Sequence, residues 1–162
     1  YLRSFLKDTH AEKKILVVDA AVGAPEPTRV NWDRYDVKSP EGITIEVKAS
    51  GYIQSWLQKR LSAITFSIRP TYGWNSETNT YASECTRQSD VYVFCLLSHK
   101  EQDTINPLDT AQWRFFVLPT SILNAKAGKQ KTIALSGVIK LGAKETDFAG
   151  LRNAILAAAI VQ

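Results

Sequence analysis

The run Val91-Tyr92-Val93-Phe94-Cys95-Leu96-Leu97 is apolar at every position. A strand with one wet face alternates polar and apolar residues, whereas one that is apolar throughout must be covered on both faces. The run therefore calls for a sheet buried on both sides, with helices as the natural cover. At 162 residues the chain has the length of a single domain, 1–162, and can bury well over half of its unfolded surface without staples. No apolar run, including Ala154–Val161, approaches the ~20 residues that span a bilayer. Two cysteines are too few for a disulfide framework or a four-cysteine zinc site. A soluble, cytoplasmic domain without a membrane partner is the expectation.

Other segments supply the cover. Residues 3–22 read as a helix with Phe5, Leu6, Ile15, Leu16 and Ala20 on one face, although Ile15–Val18 fits a short buried strand equally well. Gly23–Pro27 breaks the chain. A helix is predicted over Tyr52–Leu61, with Ile53, Trp56, Leu57 and Leu61 on its apolar face and Gln54 and Gln58 opposite. Ile64–Ile68 reads as a strand, and Arg69–Ser89 as a long polar loop, functional or misread at that length. Trp113–Leu118 reads as a strand ended by Pro119, and Ser121–Ala127 as a helix up to Gly128. The chain closes in an amphipathic helix through Phe148, Leu151, Ile155 and Ala158. The sum is an α/β fold with a mixed central sheet flanked by helices.

The most specific local reading is a hairpin. Arg34–Lys38 and Ile43–Lys48 both alternate, and Ser39-Pro40-Glu41-Gly42 lies between them. Proline suits the first corner of a type I turn, and glycine the left-handed residue that closes a three-residue loop. With Pro40, Glu41 and Gly42 as the loop, Ser39 faces Ile43 and Asp36 faces Glu46. Opposed residues share a sheet face, and Lys48 lies two residues further along it. Ile43, Ile45 and Val47 then point into a core. A two-residue loop would shift the register and separate the carboxylates.

Asp36 followed by Ile45-Glu46-Val47-Lys48 resembles the active-site signature of the PD-(D/E)XK nuclease superfamily, the restriction-endonuclease-like fold. In that family an aspartate on one strand precedes a Glu-x-Lys on the next. The order of elements is similar too, over a core of about residues 11–97, with 98–162 as a C-terminal extension. The Glu-Val-Lys strand followed by Tyr52-Ile53-Gln54-Ser55-Trp56 is also similar to a bacterial branch of such proteins. Tyr35 stands where the motif's variable proline would be. The resemblance implies a metal-dependent phosphodiesterase, an endonuclease more than an exonuclease, acting on nucleic acid and most of all on DNA. It implies Mg²⁺, with Mn²⁺ as substitute, held by Asp36, Glu46 and the carbonyl of Val47. Lys48 would hold or deprotonate the attacking water. Glu12 would bind a second metal or orient Lys48, unless it simply faces solvent. Gln54 would orient a water or contact the backbone phosphates, unless it is merely an exposed glutamine. A homodimer would supply two active sites for two strands. The other reading open at this stage is a non-catalytic nucleic-acid- or protein-binding module on the same fold, or a solvated sheet face with no site.

The remaining signals are weaker. A net charge of +4, from 20 basic and 16 acidic residues, permits an anionic partner without requiring one. Cys95 belongs to the apolar run and reads as core. His10 and His99 have no neighbouring ligands. Gly128-Lys129-Gln130-Lys131-Thr132 lacks the first glycine and the hydroxyl of a phosphate loop. The four tryptophans, Trp32, Trp56, Trp74 and Trp113, read as core or half-buried. Tyr72 and Trp74, in the polar loop with Arg69, either stack on nucleic acid or pack locally.

Overall fold

A computed structural model describes residues 18, 20–23, 34–54, 56–75 and 77–161. The apolar run forms strand β6 (Val91–Leu97), buried at every position. It lies at the centre of a five-stranded mixed sheet. On one side it pairs in parallel with β2 (Thr44–Gly51), which pairs antiparallel with β1 (Val37–Lys38). On the other it pairs antiparallel with β7 (Trp113–Pro119), whose outer neighbour is β9 (Lys144–Thr146). The order is β1-β2-β6-β7-β9.

The two-residue period of β6 divides its side chains between two cores. Val91, Val93, Cys95 and Leu97 join Val37, Ile45, Val47, Phe115 and Val117 beneath the C-terminal helix, Phe148–Ala159, which contributes Leu151 and Ile155. Val18 and Val22 complete that layer, the latter within the helical residues 20–22. Tyr92, Phe94 and Leu96 join Phe116 and Leu118 on the other face. Their cover is a two-stranded sheet of β3 (Thr65–Ser67) and β8 (Thr132–Ala134), with α1 (Thr120–Ala127) and α2 (Leu135–Lys140). The C-terminal helix is α3. Each large apolar side chain buried here contributes about 1.5–3 kcal/mol. Residues beyond 97 thus provide two strands of the central sheet and part of both cores. Cys95 is a core residue, as its surroundings in sequence imply, and Trp113 is buried.

The structure departs from the sequence expectation in three places. No helix forms over Tyr52–Leu61, where the described residues are irregular. The Gln58 side chain explains why: its amide donates to the carbonyl of Tyr52 (3.3 Å) and the hydroxyl of Ser62 (2.9 Å), and its oxygen accepts from the Gln54 N–H (2.7 Å). These bonds, with Ser62 N–H to the Tyr52 carbonyl (3.0 Å), close a surface loop and compete with helical pairing. Trp56 and Leu57 are consequently 61% and 82% exposed, so Trp56 is neither core nor half-buried. The polar stretch Arg69–Ser89 is a second hairpin of β4 (Thr71–Asn75) and β5 (Thr80–Thr86). The short elements β8, α2 and β9 carry no periodic signal long enough to read. Among the described residues no helix is long and apolar enough to cross a membrane.

Candidate active site

The β1–β2 hairpin has the register its turn chemistry dictates. Val37 pairs with Ile45 and Lys38 with Thr44. Ser39 N–H donates to the Ile43 carbonyl (2.9 Å), Gly42 N–H donates to the Ser39 carbonyl (2.9 Å), and Gly42 has φ +88°. Only glycine adopts that angle without strain, so Gly42 closes the three-residue loop. Arg152 on α3 forms an ion pair with Glu41 and ties the turn down.

Regular pairing stops at Val37, one residue short of Asp36. The Asp36 N–H reaches the Ile45 carbonyl (3.0 Å), and its carboxylate Oδ2 accepts from the backbone N–H of Val47 (2.8 Å). The side chain thus takes the place of the next rung of the ladder, at the outer edge of β2. In an antiparallel pair the N–H and C=O of one residue point to the same neighbour. The Val47 carbonyl therefore faces the edge that Asp36 occupies. Ile45 and Val47 are fully buried below.

Glu46 and Lys48 project from the opposite face of β2 to Ile45 and Val47. They form an ion pair, with side chains 22% and 25% exposed. Their position along β6 is fixed by Asp90: the Thr44 N–H and hydroxyl both donate to its carboxylate (2.9 and 2.8 Å), and its own N–H donates to the Thr44 carbonyl (3.0 Å). This clamp sets Glu46 directly beside Tyr92. Burial pushes the Tyr92 phenol well above its usual pKa; the charges of Glu46 and Asp36 push the same way, and Arg87 opposes them. Both carboxylates are therefore within electrostatic reach of one buried side chain. Asp36 thus meets the backbone of Val47 at the outer edge of β2, and Glu46 and Lys48, on either side of Val47 in the strand, pair with each other.

Of the two further participants expected, one falls within the described residues. Gln54 lies in the irregular loop after β2, and its amide donates to the Gly51 carbonyl (2.9 Å), so its side chain secures the loop. Glu12 lies outside the described residues. Among the described residues, no three His, Cys, Asp or Glu side chains gather into a cluster. Tyr92 and Asp90 are the site-shaping residues that sequence reasoning passed over. The available signals were that Tyr92 alone in the apolar run carries a hydroxyl, and that Asp90 directly precedes it.

The sequence has a counterpart among known families. Residues 16–137 match the family model described as bacteriophage T4 endonuclease IV. The match spans more than half of the chain and includes the whole β1–β2 hairpin and β6. The chain belongs to this family, and so to the nucleases. No curated protein matches it.

Proposed function

We propose that the chain is a metal-dependent endonuclease that hydrolyses phosphodiester bonds in DNA, with an active site of the PD-(D/E)XK kind built from Asp36, Glu46 and Lys48. The observation that carries this reading is the register of the β1–β2 hairpin. It ends beside Asp36, whose carboxylate accepts from the Val47 N–H, and Val47 lies between Glu46 and Lys48, which form an ion pair. A face whose charges serve only solvation has no need to anchor a carboxylate on the strand's own backbone between two paired charges. Family membership supports a nuclease over a binding module, and the relative that names the family is an endonuclease.

The donor set fits Mg²⁺. Two carboxylates and a backbone carbonyl are hard oxygen donors, and this ion is commonly held by one or two carboxylates while keeping several waters. Asp36, Glu46 and the Val47 carbonyl would hold it, with Mn²⁺ as a substitute. When bound, it would lower the pKa of a coordinated water and neutralise charge on phosphate oxygens.

The residues of the chain divide the remaining work. Asp36, anchored by the Val47 N–H, presents its carboxylate without free rotation. Lys48 is a donor held at the carboxylate group. It positions the attacking water and offsets the negative charge that grows on the phosphate. The buried Tyr92 keeps water from the floor of the site and strengthens each charge interaction above it. The experiment is incubation of supercoiled, linear and single-stranded DNA with the protein in Mg²⁺, in Mn²⁺ and in EDTA. Cleavage with either metal and none in EDTA is expected; a protein inert on all three substrates, or equally active in EDTA, contradicts the reading.

A further inference from the structure

A second feature, a cleft, has none of the site carboxylates in its described lining. It is open, about 830 Å³ in volume, and its lining includes Arg69, Tyr72, Tyr81, Cys85, Lys129 and Lys131, with no carboxylate among the described lining side chains. The β4–β5 hairpin forms one wall. Tyr72 stands opposite Cys85, and Trp74 opposite Tyr81, so all four share one face of the hairpin. Trp74 packs edge-on against Tyr81, with centroids 4.8 Å apart. Tyr72 and Tyr81 nevertheless remain 57% and 62% exposed. Aromatic rings left this open on a supported ribbon are unusual, because each has apolar area that water covers poorly.

The cationic wall is rigid from beneath. Arg87 is buried, and its guanidinium donates to the carbonyls of Ile68 (2.8 Å), Gly128 (2.9 Å) and Gln130 (3.1 Å). Each of these three residues directly precedes a lining cation: Arg69, Lys129 or Lys131. One buried side chain thus fixes the backbone from which three charges project. The hairpin is in turn tied towards the carboxylates. Arg34, two residues before Asp36, donates from Nε to the Trp74 carbonyl (2.9 Å). Gly73 permits that approach, since a Cβ there would lie 3.2 Å from Arg34 Nε and 2.6 Å from the Gln88 amide oxygen.

We infer that this cleft is a second nucleic-acid contact, which holds an unpaired stretch of strand with bases stacked on Tyr72 and Tyr81 and phosphates against Arg69, Lys129 and Lys131. The inference rests on the proposed nuclease function for the identity of the polyanion. The chemistry itself comes from the cleft: flat apolar rings and cations in one lining suit the bases and phosphates of a strand. An acidic peptide would satisfy the cations and leave the rings without partners.

The test is fluorescence anisotropy of a short labelled oligodeoxynucleotide with the full chain in EDTA, so that no cleavage intervenes. Tyr72→Ala and Tyr81→Ala should each weaken binding roughly 5- to 100-fold, with Tyr72→Phe close to wild type. Joint substitution of Lys129 and Lys131 by alanine should flatten the salt dependence by about 1.4 units of slope, roughly 0.7 for each phosphate contact. An abasic strand of equal length should bind the wild type more weakly and the tyrosine variants no differently from one another. Melting temperatures of the tyrosine variants should stay near wild type, since both rings are exposed. Tyrosine variants that bind as the wild type does, or an abasic strand that binds equally well, would overturn the inference. The nuclease reading fails separately: if tyrosine-dependent binding appears but wild-type protein never cuts with Mg²⁺ or Mn²⁺, the cleft stands and the carboxylate assignment falls.

Discussion

The two hairpins are built to opposite specifications. In the β1–β2 hairpin one face is sunk in a core, with Val37, Ile45 and Val47 almost completely buried, and the turn is a three-residue loop closed by glycine. In the β4–β5 hairpin every residue of β5 is exposed, and the ribbon carries a bulge between Tyr72 and Trp74. The first can hold two carboxylates in a fixed relation because its register cannot slip without turning three apolar side chains to water. The second has no such penalty. Its exposed rings can adjust to a flexible ligand beside cations whose backbone is held by Arg87. On the proposed reading, chemistry belongs with the first hairpin and grip with the exposed one.

The largest effect that would break this contrast is catalytic. Glu46→Gln keeps the side chain's shape and removes the charge that would hold the metal, so cleavage should fall roughly 10³-fold or more. DNA affinity measured in EDTA should not fall. A variant that loses affinity in step with activity would place substrate binding at the carboxylates and erase the division.

Stability offers the next contrast. Ile45→Ala leaves a cavity in a packed core and should cost about 2–5 kcal/mol. Ser83→Ala on the exposed β5 should stay within about 0.5 kcal/mol of wild type. Urea denaturation of both variants checks the pair. Equal costs would mean that β5 is packed in solution and that the rigidity argument is wrong.

A smaller effect sharpens the picture of the floor beneath the carboxylates. The folded state raises the pKa of Tyr92 above the unfolded value of about 10. The unfolded chain therefore loses that proton first as pH rises. The contribution is fully present below about pH 10 and is lost above it, at about 1.4 kcal/mol per pH unit until the folded group also titrates. Tyr92→Phe should lack this loss, so its melting temperature should gain on wild type above pH 10. Parallel pH profiles would show that Tyr92 is not held between burial and two carboxylates.

The same contrast explains what could be read from the sequence. The turn and the register of Val37 opposite Ile45 were legible because alternation is enforced by a core; the expected pairing of Asp36 with Glu46 is not part of the ladder, which stops at Val37, and the Asp36 carboxylate takes the Val47 N–H instead. β6 was legible because an uninterrupted apolar run has few alternatives. The β4–β5 hairpin was not, since Thr80–Thr86 has no buried face to impose a pattern on its residues. The loop after β2 misled for a different reason. Ile53, Trp56, Leu57 and Leu61 keep helical spacing, but the hydrogen bonds of Gln58 win locally and leave Trp56 and Leu57 mostly in water. Tyr92 escaped notice because its partner, Glu46, is adjacent only through a parallel pairing that joins segments far apart in sequence.

The central claim is that the edge of β2 performs hydrolysis, and Lys48→Ala tests it most directly. The substitution removes the proposed water-positioning group and leaves Asp36, Glu46 and the buried face of the hairpin in place. Cleavage of DNA in Mg²⁺ should fall roughly 10²–10⁴-fold. Binding in EDTA should change little, with the salt slope altered by at most about one unit. A Lys48→Ala protein that still cuts at the wild-type rate would contradict the account.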